Sequence, residues 1–176
     1  MSSEIKDFFR FGSRLVSSTI QVGATSLRFQ VPQNDTYDEN KLIHGDYSGI
    51  TFPVVFQQQC GKKWQDVLDT GWPAFYLISE HMKTVLESHQ LTGWQTFPIC
   101  ILDKKGNQVP GYHGFSTVGR CGGVDYLKGE LFEKRLVPTG PLGRYYKGLH
   151  IGLDEWDGSD FFLPQGYLGT IVTKRA

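Results

Sequence analysis

Ala74-Phe75-Tyr76-Leu77-Ile78-Ser79-Glu80-His81-Met82-Lys83-Thr84-Val85-Leu86-Glu87-Ser88-His89 decides how the chain is read. Residues 74–78 are continuously apolar, as in a strand buried on both faces. Ser79 follows as an N-cap, because its hydroxyl can accept a bond from a free backbone amide. Glu80 places a negative charge in the first turn, where the helix dipole favours it. Met82, Val85, Leu86 and His89 then share one helical face. Gly93 is expected to close the helix in the left-handed conformation.

Outward from this unit the signals favour strands. Gln95–Leu102 and Tyr112–Val118 read as a hairpin around the turn Asp103-Lys104-Lys105-Gly106-Asn107. Thr51–Phe56 reads as a strand, with Pro53 at its start or on an edge. Lys62–Asp69 is expected to form a short helix, with Trp64, Val67 and Leu68 at helical spacing, stopped by Gly71 and Pro73. Pro32–Asn40 and Asp154–Asp160 read as loops, Arg120–Gly123 as a tight corner, and Leu149–Leu153 and Thr170–Thr173 as strands. The expected fold is α+β: a mainly antiparallel or mixed sheet with a few helices, in a single compact domain over residues 1–176.

At 176 residues a chain buries roughly 70% of its unfolded surface, so neither disulfide nor metal is needed for folding. Lys and Arg number 18, and Asp and Glu number 18. With no cationic excess, duplex binding is not expected. Glu4, Lys6, Asp7 and Arg10 interrupt any apolar leader, and no run approaches a membrane span, so a cytoplasmic location is expected. Cys60, Cys100 and Cys121 form no C-x-x-C pair and read as free thiols.

Chemistry-bearing groups are sparse. Cys121 beside Arg120, with His113 and Asp125 as base and orienter, has the residue types of a thiol hydrolase but not a known local signature. Glu80, Glu87 and the acids near the C-terminus could supply a carboxylate pair. Asp154, Asp157 and Asp160 surround a glycine turn, yet their spacing is wrong for a calcium loop. His81 and His89 are too far apart for zinc on a helix. No catalytic residue, metal or cofactor is assigned. Trp72 and Trp94 are expected in the core, and Trp156 either anchors its loop or is exposed as a hot spot.

Five segments carry a family resemblance: Leu77-Ile78-Ser79-Glu80, Leu91-Thr92-Gly93-Trp94, Pro110-Gly111-Tyr112-His113-Gly114, Gly119-Arg120-Cys121-Gly122, and Trp156-Asp157-Gly158-Ser159-Asp160-Phe161-Phe162. In order and content they resemble a bacterial family identified as immunity proteins of polymorphic toxin systems. The resemblance spans residues 72–173, and residues 1–70 contribute little to it. The family pattern continues into a helix after the strand matching Thr170–Thr173, whereas this chain ends at Ala176. The resemblance implies an α+β fold, a cognate protein toxin as partner, and blockade rather than catalysis. The expected contacts are Trp156, Asp157 and Asp160 in the acidic loop, with Tyr112, His113 and Arg120 as a second cluster. The alternatives are a small hydrolase using Cys121 or a carboxylate pair, and a ligand- or glycan-binding module.

Overall fold

A strand of four residues, Tyr76–Ser79, sits near the middle of an eight-stranded sheet, and the rest of the molecule is built around it. The computed structural model describes residues 8–13, 18–24, 38–135, 140–148 and 150–176. In chain order the elements are β1 (Phe8–Arg10), β2 (Gln21–Ala24), α1 (Asp38–His44), β3 (Val54–Cys60), β4 (Val67–Asp69), β5 (Tyr76–Ser79), α2 (Glu80–Ser88), β6 (Trp94–Phe97) and β7 (Ile99–Leu102). They continue with β8 (Gln108–Val109), β9 (Tyr112–Thr117), β10 (Gly119–Gly123), β11 (Glu130–Arg135), β12 (Leu142–Lys147), β13 (Phe161–Gln165) and β14 (Ile171–Thr173). With two α-helices and fourteen strands among the described residues, the fold is sheet-rich rather than an even mixture of helix and sheet.

The large sheet is mixed and runs β6-β9-β5-β4-β2-β3-β7-β8. It curls on itself. Pro98 alone separates β6, at one end, from β7, near the other, and its carbonyl accepts the Val54 amide at 3.2 Å. The expected hairpin of residues 95–118 is thus divided at Pro98. Its tip is β7 against β8 around the 103–107 turn, and its base is β6 against β9. Inside the curl lie Val22, Leu42, Phe56, Leu68, Phe75, Leu77, Phe97 and Ile101, all buried. Helix α1 closes one side, where the Ser116 hydroxyl donates to the Leu42 carbonyl.

A second mixed sheet, β1-β14-β13-β10, packs beside the first. Leu86 of α2, Leu91, Phe115, Phe161 and Val172 fill the space between. Gly93 is where the layers come closest. Its φ is +84° and a Cβ there would lie 2.0 Å from the Phe161 carbonyl oxygen. Gly93 therefore serves sheet packing, and the left-handed residue after α2 is Gln90, with φ 52°. The cap at the other end is as expected, with the Ser79 hydroxyl accepting from the Met82 amide at 3.0 Å.

Four more expectations change. Residues 62–69 form no helix: Val67, Leu68 and Asp69 pair with Ile78, Leu77 and Tyr76 as β4. A helix that short pays the nucleation cost for few bonds, and a waiting sheet edge offers more. Residues 120–123 are part of β10, parallel to β13, rather than a corner. Around 149–153 the described residues give only the bridge Val124–Ile151 and a 3-10 turn at Leu153–Glu155. Of the expected loop 32–40, residues 38–40 begin α1, and 32–37 lie outside the described residues.

Candidate functional site

Four of the expected contact residues meet at one place, between β10 and the segment entering β13. Asp160 is 5% exposed. One carboxylate oxygen accepts from the Thr92 amide at 2.9 Å and the Thr92 hydroxyl at 3.1 Å, and the other from the Thr173 hydroxyl at 3.0 Å. This one side chain ties the end of α2's loop to β14. Asp157 accepts from the Arg120 amide at 2.8 Å and from the Ser159 amide and hydroxyl at 3.0 and 2.5 Å. Burial works to raise its pKa, but these hydrogen bonds outweigh burial and hold it below the ordinary carboxylate value.

Trp156 is half-buried. Its indole N–H donates to the Ser159 carbonyl at 3.1 Å, and its ring packs on Phe8 and Phe162 at 5.6 and 5.7 Å. The Arg120 guanidinium donates to the carbonyls of Thr117 (2.7 Å), Gly119 (2.8 Å) and His44 (3.0 Å), joining α1 to the β9–β10 passage. The polar groups of Trp156, Asp157, Asp160 and Arg120 are therefore engaged inside the fold. Arg120 belongs with this loop rather than with Tyr112 and His113.

Tyr112 and His113 lie elsewhere, at the start of β9. The Tyr112 hydroxyl donates to the Gln65 carbonyl at 3.0 Å, and its ring tilts against Trp64 at 5.7 Å. His113 bonds the Glu80 carboxylate, which lowers the Glu80 pKa. Next to them Ser79, His81 and Asp66 converge in the wrong order for a catalytic triad. Asp66 sits in the middle, accepting from the Ser79 hydroxyl at 2.5 Å and the His81 ring at 3.3 Å. A serine nucleophile needs the imidazole beside the hydroxyl. Here the hydroxyl proton goes to a carboxylate, and its lone pair takes the Met82 amide.

The thiol is not activated either. Cys121 is buried, and burial, followed by the charges of Asp157 and Glu155, raises its pKa to about 11. At neutral pH the nucleophilic thiolate is scarce. Its two expected helpers are occupied: His113 by Glu80, and Asp125 by the Leu127 amide at 3.1 Å and Lys128 at 3.0 Å. Glu80 and Glu87 share Lys83 between them, at 3.6 and 3.8 Å. Among the described residues no three His, Cys, Asp or Glu side chains gather as a metal site. No helix among them is long and apolar enough to cross a membrane.

Two open grooves bear on the ligand reading. One, of about 570 Å³, is lined by Gln57, Gln59, Thr70 and Trp72. The other, of about 500 Å³, lies between α1 and the turn after β13, with Ile43, Cys121 and Tyr167 in its wall. Trp72, expected in the core, is 42% exposed. Trp94 is half-buried, with its N–H on the Leu91 carbonyl at 2.8 Å.

The feature that sequence reading missed is an arm. Among the described residues, strands β11 and β12 pair only with each other, as a separate two-stranded sheet. All six residues of β11 are exposed. Leu131, Phe132 and Leu142 on the arm, with Tyr126 and Leu127 (96% exposed) in the 3-10 turn leading into it, account for five of the nine exposed large hydrophobic side chains among the described residues. Phe132 and Tyr145 stack obliquely at 5.7 Å on one face, and Glu133 pairs with Arg144 at 3.3 Å on the other. The available signal was two β-prone runs, Glu130–Leu136 and Leu142–Lys147, flanking Pro138-Thr139-Gly140-Pro141. No protein-family model matches this sequence, and no curated protein matches it.

Proposed function

We propose that this chain is a cytoplasmic immunity protein: it binds a cognate bacterial toxin and neutralises it by covering the toxin's active site or substrate groove. The observation that carries the binding role is the concentration of exposed apolar side chains on the β11–β12 arm. Scattered surface leucines need no explanation, but a cluster of them marks an interaction site. The toxin as partner rests on the resemblance of residues 72–173 to immunity proteins.

The arm and the 3-10 turn that leads into it (Tyr126–Lys128) supply what an interface core requires. Leu127, Leu131, Phe132 and Leu142 offer apolar anchors, and Lys128, Lys134, Arg135, Arg144 and Lys147 surround them with cations. Asp125, Glu130 and Glu133 leave the arm a local cationic excess in a chain of balanced charge. An acidic groove on the toxin fits that pattern, and the local charge accelerates encounter. A complete interface buries about 1,200–2,000 Å², more than one hairpin supplies. Exposed Trp64, with half-buried Tyr112 and His113 beside it, is the second surface we assign to it, since Trp and Tyr are frequent anchors.

The test is co-expression with the product of the adjacent large open reading frame in a permissive host. Rescue of growth and co-purification are expected from the native chain. Leu131→Asp combined with Phe132→Asp is expected to lose both, with an unchanged circular dichroism spectrum. Rescue that survives this double substitution removes the arm from the contact surface. Toxicity without rescue or binding removes this neighbour as the cognate toxin and counts against the immunity role.

A further inference from the structure

Both outer edges of the β11–β12 ribbon lack a strand partner among the described residues. A two-stranded hairpin alone is marginally stable, and an open edge is a template for another strand. The two edges differ in what they accept. Strand β12 carries Arg144 and Lys147 and no acid, so a second β12 meets like charge. Strand β11 reads Glu130-Leu131-Phe132-Glu133-Lys134-Arg135 and carries both signs.

We propose that β11 pairs antiparallel with β11 of a second copy of this chain, about a two-fold axis at Phe132, forming a continuous four-stranded sheet across the dimer. Successive residues of a strand alternate between faces, so Glu130, Phe132 and Lys134 share one face. Antiparallel pairing centred on Phe132 sets Phe132 opposite its own copy, and sets each Glu130 opposite the other copy's Lys134. Directly opposed residues of an antiparallel pair interact through their side chains, favourably for opposite charges and for aromatic pairs. The register is therefore self-complementary, as a two-fold interface requires.

The hairpin's own register extends the pattern. Phe132 faces Tyr145 and Glu130 faces Lys147 within each copy. Across the dimer the aromatic row becomes Tyr145, Phe132, Phe132, Tyr145. Beside it the charges alternate as Lys147, Glu130, Lys134. On the opposite face Leu131 meets the other copy's Glu133, and no like charges are opposed. The inference deepens the binding role proposed for the arm and rests on the arm being an interaction element. It adds a partner along the outer edge of β11 and leaves the ribbon's faces to the toxin.

Sedimentation velocity over a concentration series tests it. The native chain is expected to shift from monomer to dimer as concentration rises. Lys134→Glu faces only Gly143 within its own hairpin, so it leaves the ribbon intact. It sets glutamate against glutamate across the axis, and should weaken dimerisation at least tenfold. Glu130→Lys should weaken the dimer too, by setting lysine against lysine across the axis, and it also sets lysine against Lys147 within its own hairpin. An equimolar mixture of the two variants should recover the dimer, because every cross-axis pair then has opposite charges. In a Cys60→Ser background, which removes the exposed native thiol, Phe132→Cys should give a disulfide-linked dimer on oxidation that the Cys60→Ser chain alone does not form. A native chain that stays monomeric to its solubility limit overturns the proposal. So does a dimer indifferent to both charge variants. Toxin rescue by a strictly monomeric native chain would overturn the pairing while leaving the immunity reading standing.

Discussion

The Asp157–Asp160 segment and the β11–β12 arm are opposite kinds of surface. The first is the most distinctive stretch of the sequence, and its polar atoms are spent inside the fold: Asp160 holds Thr92 and Thr173, and Asp157 holds Arg120 and Ser159. The second has an unremarked sequence and presents large apolar side chains to solvent. A recognisable motif can thus mark what the fold needs, while the surface we propose for partner contacts lies where the sequence is bland. Substitutions should separate the two by which quantity they change.

The sharpest contrast is Asp160→Ala. It leaves two hydroxyls and one amide without their acceptor. A buried donor left unsatisfied costs about 1–3 kcal/mol, so these three together should cost about 3 kcal/mol or more. Urea unfolding monitored by tryptophan fluorescence should show that loss, and a change near zero would break the contrast from the motif's side. Gly93→Ala comes next. It adds left-handed strain and a collision with the Phe161 carbonyl, for about 2–4 kcal/mol together. The same melts would read it, and a neutral result would mean that the layers part easily.

Ser79→Ala removes the α2 cap and should cost about 1 kcal/mol, visible as a lower urea midpoint at unchanged slope. Acid should act in the same region. Asp66, through Ser79, and Asp157, through Ser159 and Arg120, titrate below the ordinary 3.8 in the folded chain. A carboxyl depressed on folding adds stability that is fully present above the unfolded value and drains away as pH falls through the folded one. Stability should therefore decline below about pH 4, and Asp157→Asn should shallow that decline. The smallest expected effect on stability belongs to the arm. Leu131→Ser should stay within about 0.5 kcal/mol of the native chain, as exposed sites do, while weakening partner binding. A large loss of stability there would show that the arm packs on the body and would collapse the distinction.

Sequence reading went furthest where a period and a cap coincide. The β5–α2 unit was legible because Ser79, Glu80, Met82, Val85 and Leu86 satisfy helix rules together, and the 103–107 turn because Asp103 and Gly106 announce it. Strand β4 was not legible, since a Val67–Leu68 doublet fits either period and only β5 decides between them. Strand β10 was hidden by Gly119, Gly122 and Gly123. At Gly119 a Cβ would lie 2.0 Å from the Ser159 hydroxyl and 2.1 Å from the Phe161 carbonyl. The role of Asp160 depends on Thr92, 68 positions away, which no local pattern encodes. The arm escaped because a ribbon exposed on both faces has no alternation of apolar and polar residues to detect.

Pro98 has a consequence for how the chain tolerates length changes. Because one residue carries the backbone from one end of the large sheet to near the other, the curl is closed by a covalent bond rather than by a long-range loop. A residue inserted in the 103–107 turn only lengthens a surface connection. A residue inserted at Pro98 moves β7 one step against β3 relative to β6 on β9. Strand side chains alternate faces, so either Phe97 or Ile101 must then turn out of the interior. This single position behaves as the keystone of the sheet, and insertions there should be excluded where insertions five to nine residues later are accepted.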